Sequence, residues 1–206
     1  MPERRTLEDA RRAAAGCQGC PLFQHATQTV FGDGPKTARL MLIGEVPGDR
    51  EDRSGEPFVG PAGRLLDRAL GAAGIDRTEV YVTNVVKHFK WEPRGKRRLH
   101  RTPNSREIAA CLPWLELEIE LVHPTGIACL GATAAKALLG PSVRVTRDRG
   151  KLLPSPLAPH VTATVHPSAL LRLRDPAERD TELERFTADL AALQQVLDRS
   201  AAPAER

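Results

Sequence analysis

The sequence predicts an α/β fold in which helices cover both faces of a parallel sheet. Short apolar runs alternate along the chain with segments of helical spacing, and this alternation is typical of that class. No apolar run approaches the ~20 residues that would span a membrane. A chain of 206 residues buries roughly 70% of its unfolded surface, so it needs no disulfide bonds to hold a core.

The first half of the chain predicts two helices and two strands. Thr6 and the acid three residues later form a capping box that starts a short helix, which Gly16 ends. ARLMLIG (38–44) stops at a glycine and reads as a buried strand. GPAGRLLDRALGAAG (60–74) has helical spacing with a terminal glycine as its stop, and EVYVTN (79–84) is a second strand.

A basic segment, residues 87–101, follows the second strand and is predicted to be a loop. Thr102 and Pro103 then supply an N-cap and a proline in the first turn of a helix that runs to about Leu121. Pro113 lies inside this helix and is expected to bend it.

The last third of the chain completes the alternation. GIACLG (126–131) and HVTATV (160–165) are the third and fourth strands, and ATAAKALLG (132–140) is the helix after the third. An amphipathic helix covers about 177–198. The sequence therefore predicts a single domain over residues 1–200, followed by a flexible tail, 201–206.

The net charge of +4 is unevenly distributed. Residues 87–101 hold seven Lys or Arg and one acid, a formal charge of +6, so the rest of the chain carries −2. Such a patch on a nearly neutral body is what a phosphate backbone attracts. The alternative is a solvated loop whose charge only aids solubility.

Polar residues follow three of the predicted strands. Glu45 and Asp49 come after the first strand, Asn84 ends the second, and His166 follows the fourth. Because the carboxyl ends of parallel strands share one edge of a sheet, these side chains are predicted to share an active site. The alternative for each residue taken alone is a cap or a packed turn.

Four cysteines in a chain without a secretion signal favour metal over disulfides. Cys17 and Cys20 have the C-x-x-C spacing of ligands, and Cys111 and His88 are candidates to complete the set. Cys129 lies in an apolar strand and is predicted to be a core residue. These residues by themselves leave zinc and an iron–sulfur cluster both open.

Four segments carry a family resemblance: GEVPGDREDRSGEPFVGPAGRLLD, VTNVVKHF, GKRRLH and TVHPSAL. Together they resemble the family-four uracil-DNA glycosylases, and most closely the X-type (UdgX-like) subgroup, which bonds covalently to uracil-containing DNA. The similarity runs from about residue 17 to residue 190. It implies a three-layer α/β/α sandwich with a four-stranded parallel sheet, the uracil-DNA glycosylase fold. It also implies a [4Fe–4S] cluster held by Cys17, Cys20, His88 and Cys111.

The resemblance implies a role for each residue around the base. Phe58 stacks on uracil, Asn84 reads its edge, and His166 donates a hydrogen bond to O2 of the departing base. Glu45 stabilises the cationic sugar, and His100 in the KRRLH segment attacks C1′ and stays bonded to it.

The chain departs from the X-type pattern at Val46, where that subgroup has glutamine. Ordinary family-four members often have a small apolar residue there. The backbone N–H of this position still meets a uracil oxygen, whereas a side-chain amide contact is lost.

The remaining residues assigned to the site are Gly48 and Asp49 for the base and Lys96, Arg97, Arg98, Ser168 and Arg172 for DNA. Among the cations, Arg98 is predicted to sit at the flipped nucleotide. Leu170 and Leu171, with Arg172, are predicted to fill the space that the flipped base leaves. The alternative for the two leucines is ordinary helix core.

The expected partner is uracil-containing DNA, single-stranded or flipped from a duplex, bound by a monomer. The N-terminal MPERRTLEDA has no apolar signal core, which predicts a cytoplasmic protein with no membrane contact. Two other functions stay open. One is an ordinary multi-turnover family-four glycosylase that uses water, and the other is a non-catalytic nucleic-acid module held together by zinc.

Overall fold

The computed structural model describes residues 6–201, and a sheet of four parallel strands lies at its centre. With strands numbered along the chain, these are β1 (Leu40–Gly44), β2 (Val80–Asn84), β5 (Gly126–Leu130) and β6 (His160–Thr164). They lie in the order β2-β1-β5-β6, and every pairing is parallel. The predicted α/β class and four-stranded parallel sheet are confirmed.

Helices occupy the connections. They are α1 (Leu7–Ala14), α2 (Asp49–Ser54), α3 (Pro61–Ala72), α4 (Ser105–Val122), α5 (Ala132–Leu139), α6 (Val145–Asp148), α7 (Pro167–Leu170) and α8 (Pro176–Ala201). The sequence did not predict α2, α6 and α7, because helices of four to six residues are too short for a repeating apolar pattern to appear. Ala201, the first residue of the predicted tail, is helical, and the rest of that tail lies outside the described residues. No helix within residues 6–201 combines the length and the apolar character that crossing a bilayer requires.

Both faces of the sheet are buried, and alternate residues of each strand face opposite sides. Met41 and Ile43 pack with the buried side chains of α1, α4 and α5. Leu40 and Leu42 pack on the other face with those of α3 and α8. Burial on both faces explains why the strands are continuous apolar runs, and it gives the three-layer arrangement.

The basic segment is not a loop, as the sequence had predicted, but a two-stranded antiparallel hairpin. Its strands are β3 (Trp91–Arg94) and β4 (Arg97–His100), with Trp91 opposite His100. Gly95 forms the turn with φ of 58°, a conformation that favours glycine. The prediction was wrong because the strands are short, charged and mostly exposed, so no apolar alternation marks them.

The N-terminus of α4 also differs from the prediction. The N-cap is Asn104 rather than Thr102, and the helix begins at Ser105. The Asn104 side chain accepts from the Glu107 backbone N–H (3.0 Å), and the Glu107 carboxylate accepts from the Asn104 N–H (2.7 Å). This reciprocal capping box satisfies two N–H groups, which explains why the helix starts after Pro103.

The parallel register brings the carboxyl ends of the strands to one edge. Gly44 pairs with Asn84, and Leu130 pairs with Thr164. The segments after β1, β5 and β6 therefore emerge at the same edge of the sheet as the end of β2, as the sequence predicted for its polar residues.

Candidate active site

A cavity of about 620 Å³ opens at the carboxyl edge of the sheet. Its lining includes nine of the residues predicted for the site: Val46, Gly48, Asp49, Phe58, Asn84, His100, His166, Ser168 and Arg172. A second cavity, of about 400 Å³, lies at the amino ends of β1 and β2 and is lined by no histidine, cysteine or aromatic residue. Of these two cavities, only the first is therefore lined by histidine and aromatic side chains.

Phe58 and Asn84 form a narrow slot at the end of the sheet. Phe58 is 7% exposed and has a left-handed backbone with φ of 59°, a strained conformation for a bulky residue. Its ring stacks on that of His166, with centroids 6.0 Å apart and an interplanar angle of 27°. A Cβ on Gly44 would contact the Asn84 amide oxygen and come within 2.7 Å of Phe58 Cζ. The absence of a side chain at residue 44 therefore lets these two residues close on one space.

His166 is held as a neutral imidazole with a defined tautomer. Its Nδ1 accepts a hydrogen bond from the Ser168 backbone N–H at 3.1 Å, so the proton of the neutral ring is on Nε2. Burial, followed by the neighbouring His100 and Arg172, lowers the pKa of His166 to about 4. At neutral pH this ring is an uncharged N–H donor.

His100 and Glu45 face each other beside the slot. His100 Nε2 lies 3.9 Å from Glu45 Oε1, and its side chain is 43% exposed. Burial lowers the pKa of His100 below its ordinary value, Glu45 opposes this shift, and Arg172 adds to it. The His100 imidazole is therefore mostly unprotonated at pH 7.

Arg98 anchors the hairpin that carries His100. Its guanidinium pairs with Asp49 and lies 2.6 Å from an oxygen of Asp52, whose side chain is fully buried. It also lies over the rings of Phe89 and Trp91, at 5.3 and 5.5 Å. These contacts fix β4 against the start of α2. They also engage the guanidinium of Arg98, the residue that was predicted to lie at the flipped nucleotide.

The Asp49 carboxylate is ionised in this pairing. Burial raises its pKa, but hydrogen bonds from Arg53 and Arg98 outweigh burial, and the pKa of Asp49 is lowered from its ordinary value. The anchor therefore stays charged at neutral pH.

Three other cations of the basic patch lie in two different environments. Lys96 and Arg97 are exposed at the hairpin turn, outside the cavity lining, where they can meet phosphates. Lys87 is fully buried and paired with Glu118. Counting Lys87 in a DNA-facing patch was therefore wrong.

The two leucines that were predicted to fill the space left by the flipped base lie in different environments. Leu170 is 2% exposed and belongs to the core between the sheet, α3 and α8, so it cannot fill a gap in DNA. Leu171 is 42% exposed and lines the cavity beside Arg172. Only Leu171 keeps the wedge role that was predicted for both.

The predicted metal ligands Cys17, Cys20, His88 and Cys111 lie near the sheet face that α1 and α4 cover. Trp114 Nε1 donates to Cys17 Sγ and the Lys87 N–H donates to Cys111 Sγ, each at 3.2 Å. Hydrogen bonds to sulfur of this kind surround iron–sulfur clusters. Within residues 6–201, no three His, Cys, Asp or Glu side chains converge on one ion. Thiol sulfurs that accept N–H hydrogen bonds are the kind of ligand that the implied cluster would take, so this donor set is compatible with it.

Two features bear on the cysteines as ligands. Burial raises the pKa of Cys111 to about 11, so metal binding must displace its proton. Cys129 is fully buried in β5, which confirms its prediction as a core residue.

Sequence reasoning missed two carboxylate contacts that shape the site. Glu51 Oε1 accepts from the Gly60 N–H at 2.6 Å and so holds the loop that carries Phe58. Thr133, at the start of α5, donates to Glu45 Oε2 at 2.6 Å. Neither residue has a local sequence signal, because each acts through a partner that only the fold brings near.

Comparison with known proteins gives one consistent result. The profile of the Uracil DNA glycosylase superfamily matches residues 31–191. A type-4 uracil-DNA glycosylase of Thermotoga maritima is 41% identical over 174 residues, which cover 84% of each chain. One from Pyrobaculum aerophilum is 38% identical over 192 residues, covering 90% of this chain and 91% of the relative. The chain therefore belongs to the uracil DNA glycosylase superfamily.

Proposed function

We propose that the protein is a DNA repair enzyme that excises uracil from DNA and remains bonded, through His100, to the deoxyribose C1′. The curated names of its relatives support the excision. The observation that carries the covalent step is the position of His100 Nε2, 3.9 Å from Glu45 Oε1 beside the base slot. The X-type resemblance of the KRRLH segment agrees with it.

The target atom is inaccessible in a stacked duplex, so the nucleotide must be flipped out. Flipping costs a few kcal/mol and costs less in a single strand. Leu171 and Arg172, exposed beside the cavity, would fill the space left behind. Lys96 and Arg97 would hold the phosphates, and Ser168 lies where the flipped nucleotide enters. We propose that the protein acts on DNA as a monomer.

Recognition of uracil rests on the slot. Phe58 stacks on the base, and the Asn84 amide meets O4 and N3–H. The Val46 backbone N–H supplies a further donor, while its side chain packs in the core. Cytosine presents the opposite pattern to Asn84, so it would leave buried polar groups unpaired and be rejected.

Breaking the C1′–N1 bond sends its electron pair to the base, which leaves as an anion with charge on O2. The Nε2–H of neutral His166 donates to that oxygen. One preorganised donor of this kind contributes roughly 3 kcal/mol, about a hundredfold in rate. The sugar becomes cationic, and the Glu45 carboxylate stabilises it.

The lone pair of His100 Nε2 then forms a bond to C1′. The imidazolium that results loses its Nδ1 proton to solvent, and the uracil anion takes up a proton, so charge and atoms balance. The product is a neutral imidazole bonded to the abasic sugar. Uracil has left, and His100 occupies the C1′ position that water would otherwise attack, so the enzyme stops after one event.

The alternative is an ordinary multi-turnover glycosylase in which Glu45 takes a proton from water. Two observations favour it. The curated relatives are named type-4 glycosylases, and Val46 lacks the amide of the X-type pattern. In that case released uracil would exceed the enzyme in molar amount.

We also propose that Cys17, Cys20, His88 and Cys111 hold a [4Fe–4S] cluster. The buried thiols and their N–H donors support this assignment. A cluster there would tie the segment after α1 to α4 and brace the chain between β2 and the hairpin. Its visible absorption and iron content would distinguish it from the zinc-stabilised alternative, which would be colourless.

The test is denaturing electrophoresis after mixing the protein with uracil-containing single-stranded DNA. The expected result is a shifted band that survives heat and detergent and is absent with thymine DNA. His100→Ser should abolish the band, whereas the matched control His160→Ser, on the opposite end of β6, should retain it. Uracil release without any adduct from the wild type would select the water mechanism.

A further inference from the structure

We propose that Thr133 is a positioning residue for the reaction, because its hydroxyl fixes the Glu45 carboxylate in the orientation that faces His100. This inference rests on the proposed function of Glu45 and extends it to a residue on a different element. No property of the sequence around Thr133 marks it, since it lies in a helix start rich in small residues.

The hydrogen bond between Thr133 and Glu45 is short, and it involves only one of the two Glu45 carboxylate oxygens. Thr133 Oγ1 donates to Glu45 Oε2 at 2.6 Å, a length typical of a hydroxyl bound to an ionised carboxylate. Glu45 Oε1 is buried and has no hydrogen-bond partner among residues 6–201. It is this oxygen that lies 3.9 Å from His100 Nε2.

The turn between β5 and α5 explains why Thr133 reaches that position. Gly131 has φ of 91°, and a Cβ there would lie 2.9 Å from His166 Cβ. The chain can therefore pass close to His166 and start α5 at once, with Thr133 as its second residue. The backbone of this turn at Gly131 thus lies close to His166, and the Thr133 side chain just after it contacts Glu45.

An unpartnered buried oxygen is an unusual state for a carboxylate, because it loses solvation without gaining a bond. It acts strongly on a positive charge that develops nearby, since little solvent screens the interaction. Without the Thr133 bond, the carboxylate can rotate toward solvent or directly onto His100. Either rotation would weaken its stabilisation of the cationic sugar.

The experiment measures single-turnover adduct formation for Thr133→Val, which removes the hydroxyl at nearly constant shape, and for Thr133→Ser, which keeps it. We expect Thr133→Val to lower the rate constant about tenfold or more and Thr133→Ser to remain within about threefold of wild type. Affinity for uracil-free DNA should not change. Thr162→Val is the matched control, because that buried hydroxyl donates to the Lys151 carbonyl instead, and its rate should equal wild type.

A double-mutant cycle with Glu45→Gln separates positioning from general structure. If Thr133 acts through Glu45, Thr133→Val should have little further effect in the Glu45→Gln background. A full tenfold loss in that background, or a wild-type rate for Thr133→Val, would overturn the inference. If the wild type releases uracil without an adduct, the covalent proposal fails, but the same variants measured by uracil release still decide the role of Thr133. If the wild type does neither, both proposals fail.

Discussion

Gly44 shows how a single missing side chain sets the base slot. Its backbone is extended, so its importance is steric and not conformational. Gly44→Ala should crowd Asn84 and Phe58, lower the single-turnover rate at least tenfold and reduce the free energy of unfolding by about 1–3 kcal/mol. Gly71→Ala is the control, because nothing lies within 4 Å of its added Cβ and alanine favours a helix interior by about 0.5–1 kcal/mol. A wild-type rate for Gly44→Ala would mean that uracil does not bind between these residues.

The protonation state of His100 predicts how adduct formation depends on pH. In the proposed reaction only the neutral imidazole attacks C1′, and burial lowers the pKa of His100 below its ordinary value of 6.5. The rate constant should therefore be level from pH 8 to about 6.5 and fall only at lower pH. Single-turnover assays at saturating protein measure this rate constant. The other charged or titratable groups that face His100 are Glu45, His166 and Arg172. A midpoint at or above pH 6.5 would argue that the pKa of His100 is not lowered and that its protonation does not set the rate.

Lys87 illustrates which residue roles a sequence cannot reveal. It stands at the head of a run of cations, but its partner Glu118 lies 31 positions further along the chain. Nothing local distinguishes it from Lys96, which is exposed. By contrast, Glu45, Asn84 and His166 were predictable as neighbours, because each follows or ends a strand and parallel strands share an edge.

At the scale of elements, the strands of the parallel sheet were predictable because burial on both faces makes them uninterrupted apolar runs. The β3–β4 hairpin was not, because its pairing depends on contacts from outside. Arg98 reaches Asp49 and Asp52, more than forty residues earlier, and so docks β4 beside the cavity. Arg98 of the hairpin thus faces the protein, whereas Lys96 and Arg97 face solvent.

The outward cations of the hairpin predict a change in salt dependence. Lys96→Gln and Arg97→Gln should each weaken binding to uracil-free single-stranded DNA and reduce the slope of log K against log salt by about 0.7. Lys36→Gln removes the same charge from an exposed site before β1, at the other end of the sheet, and should leave the slope unchanged. Binding titrations at several salt concentrations measure this. Equal slopes for all three variants would place the DNA elsewhere.

At the scale of the whole molecule, one buried charge network joins several elements. Glu118 on α4 accepts from the Gly32 N–H at 2.7 Å and from the Tyr81 and Thr83 hydroxyls of β2. Lys87 pairs with it and donates to the Asn84 carbonyl at 2.7 Å. Asn84, which is proposed to read the base, is therefore tied to the helix that carries Cys111, a predicted cluster ligand.

This network predicts strong energetic coupling between Lys87 and Glu118, whose side chains are both 0% exposed. Lys87→Met or Glu118→Leu alone leaves a buried charge unpaired, so each should lower the free energy of unfolding by about 3–5 kcal/mol. The double variant should lose less than the sum of the two by about 1–3 kcal/mol, although Gly32 and Tyr81 still lack their acceptor. Urea unfolding of the four proteins measures the cycle. Strict additivity would show that the two charges do not stabilise each other, and that hydrogen bonds to the neutral neighbours hold the network together.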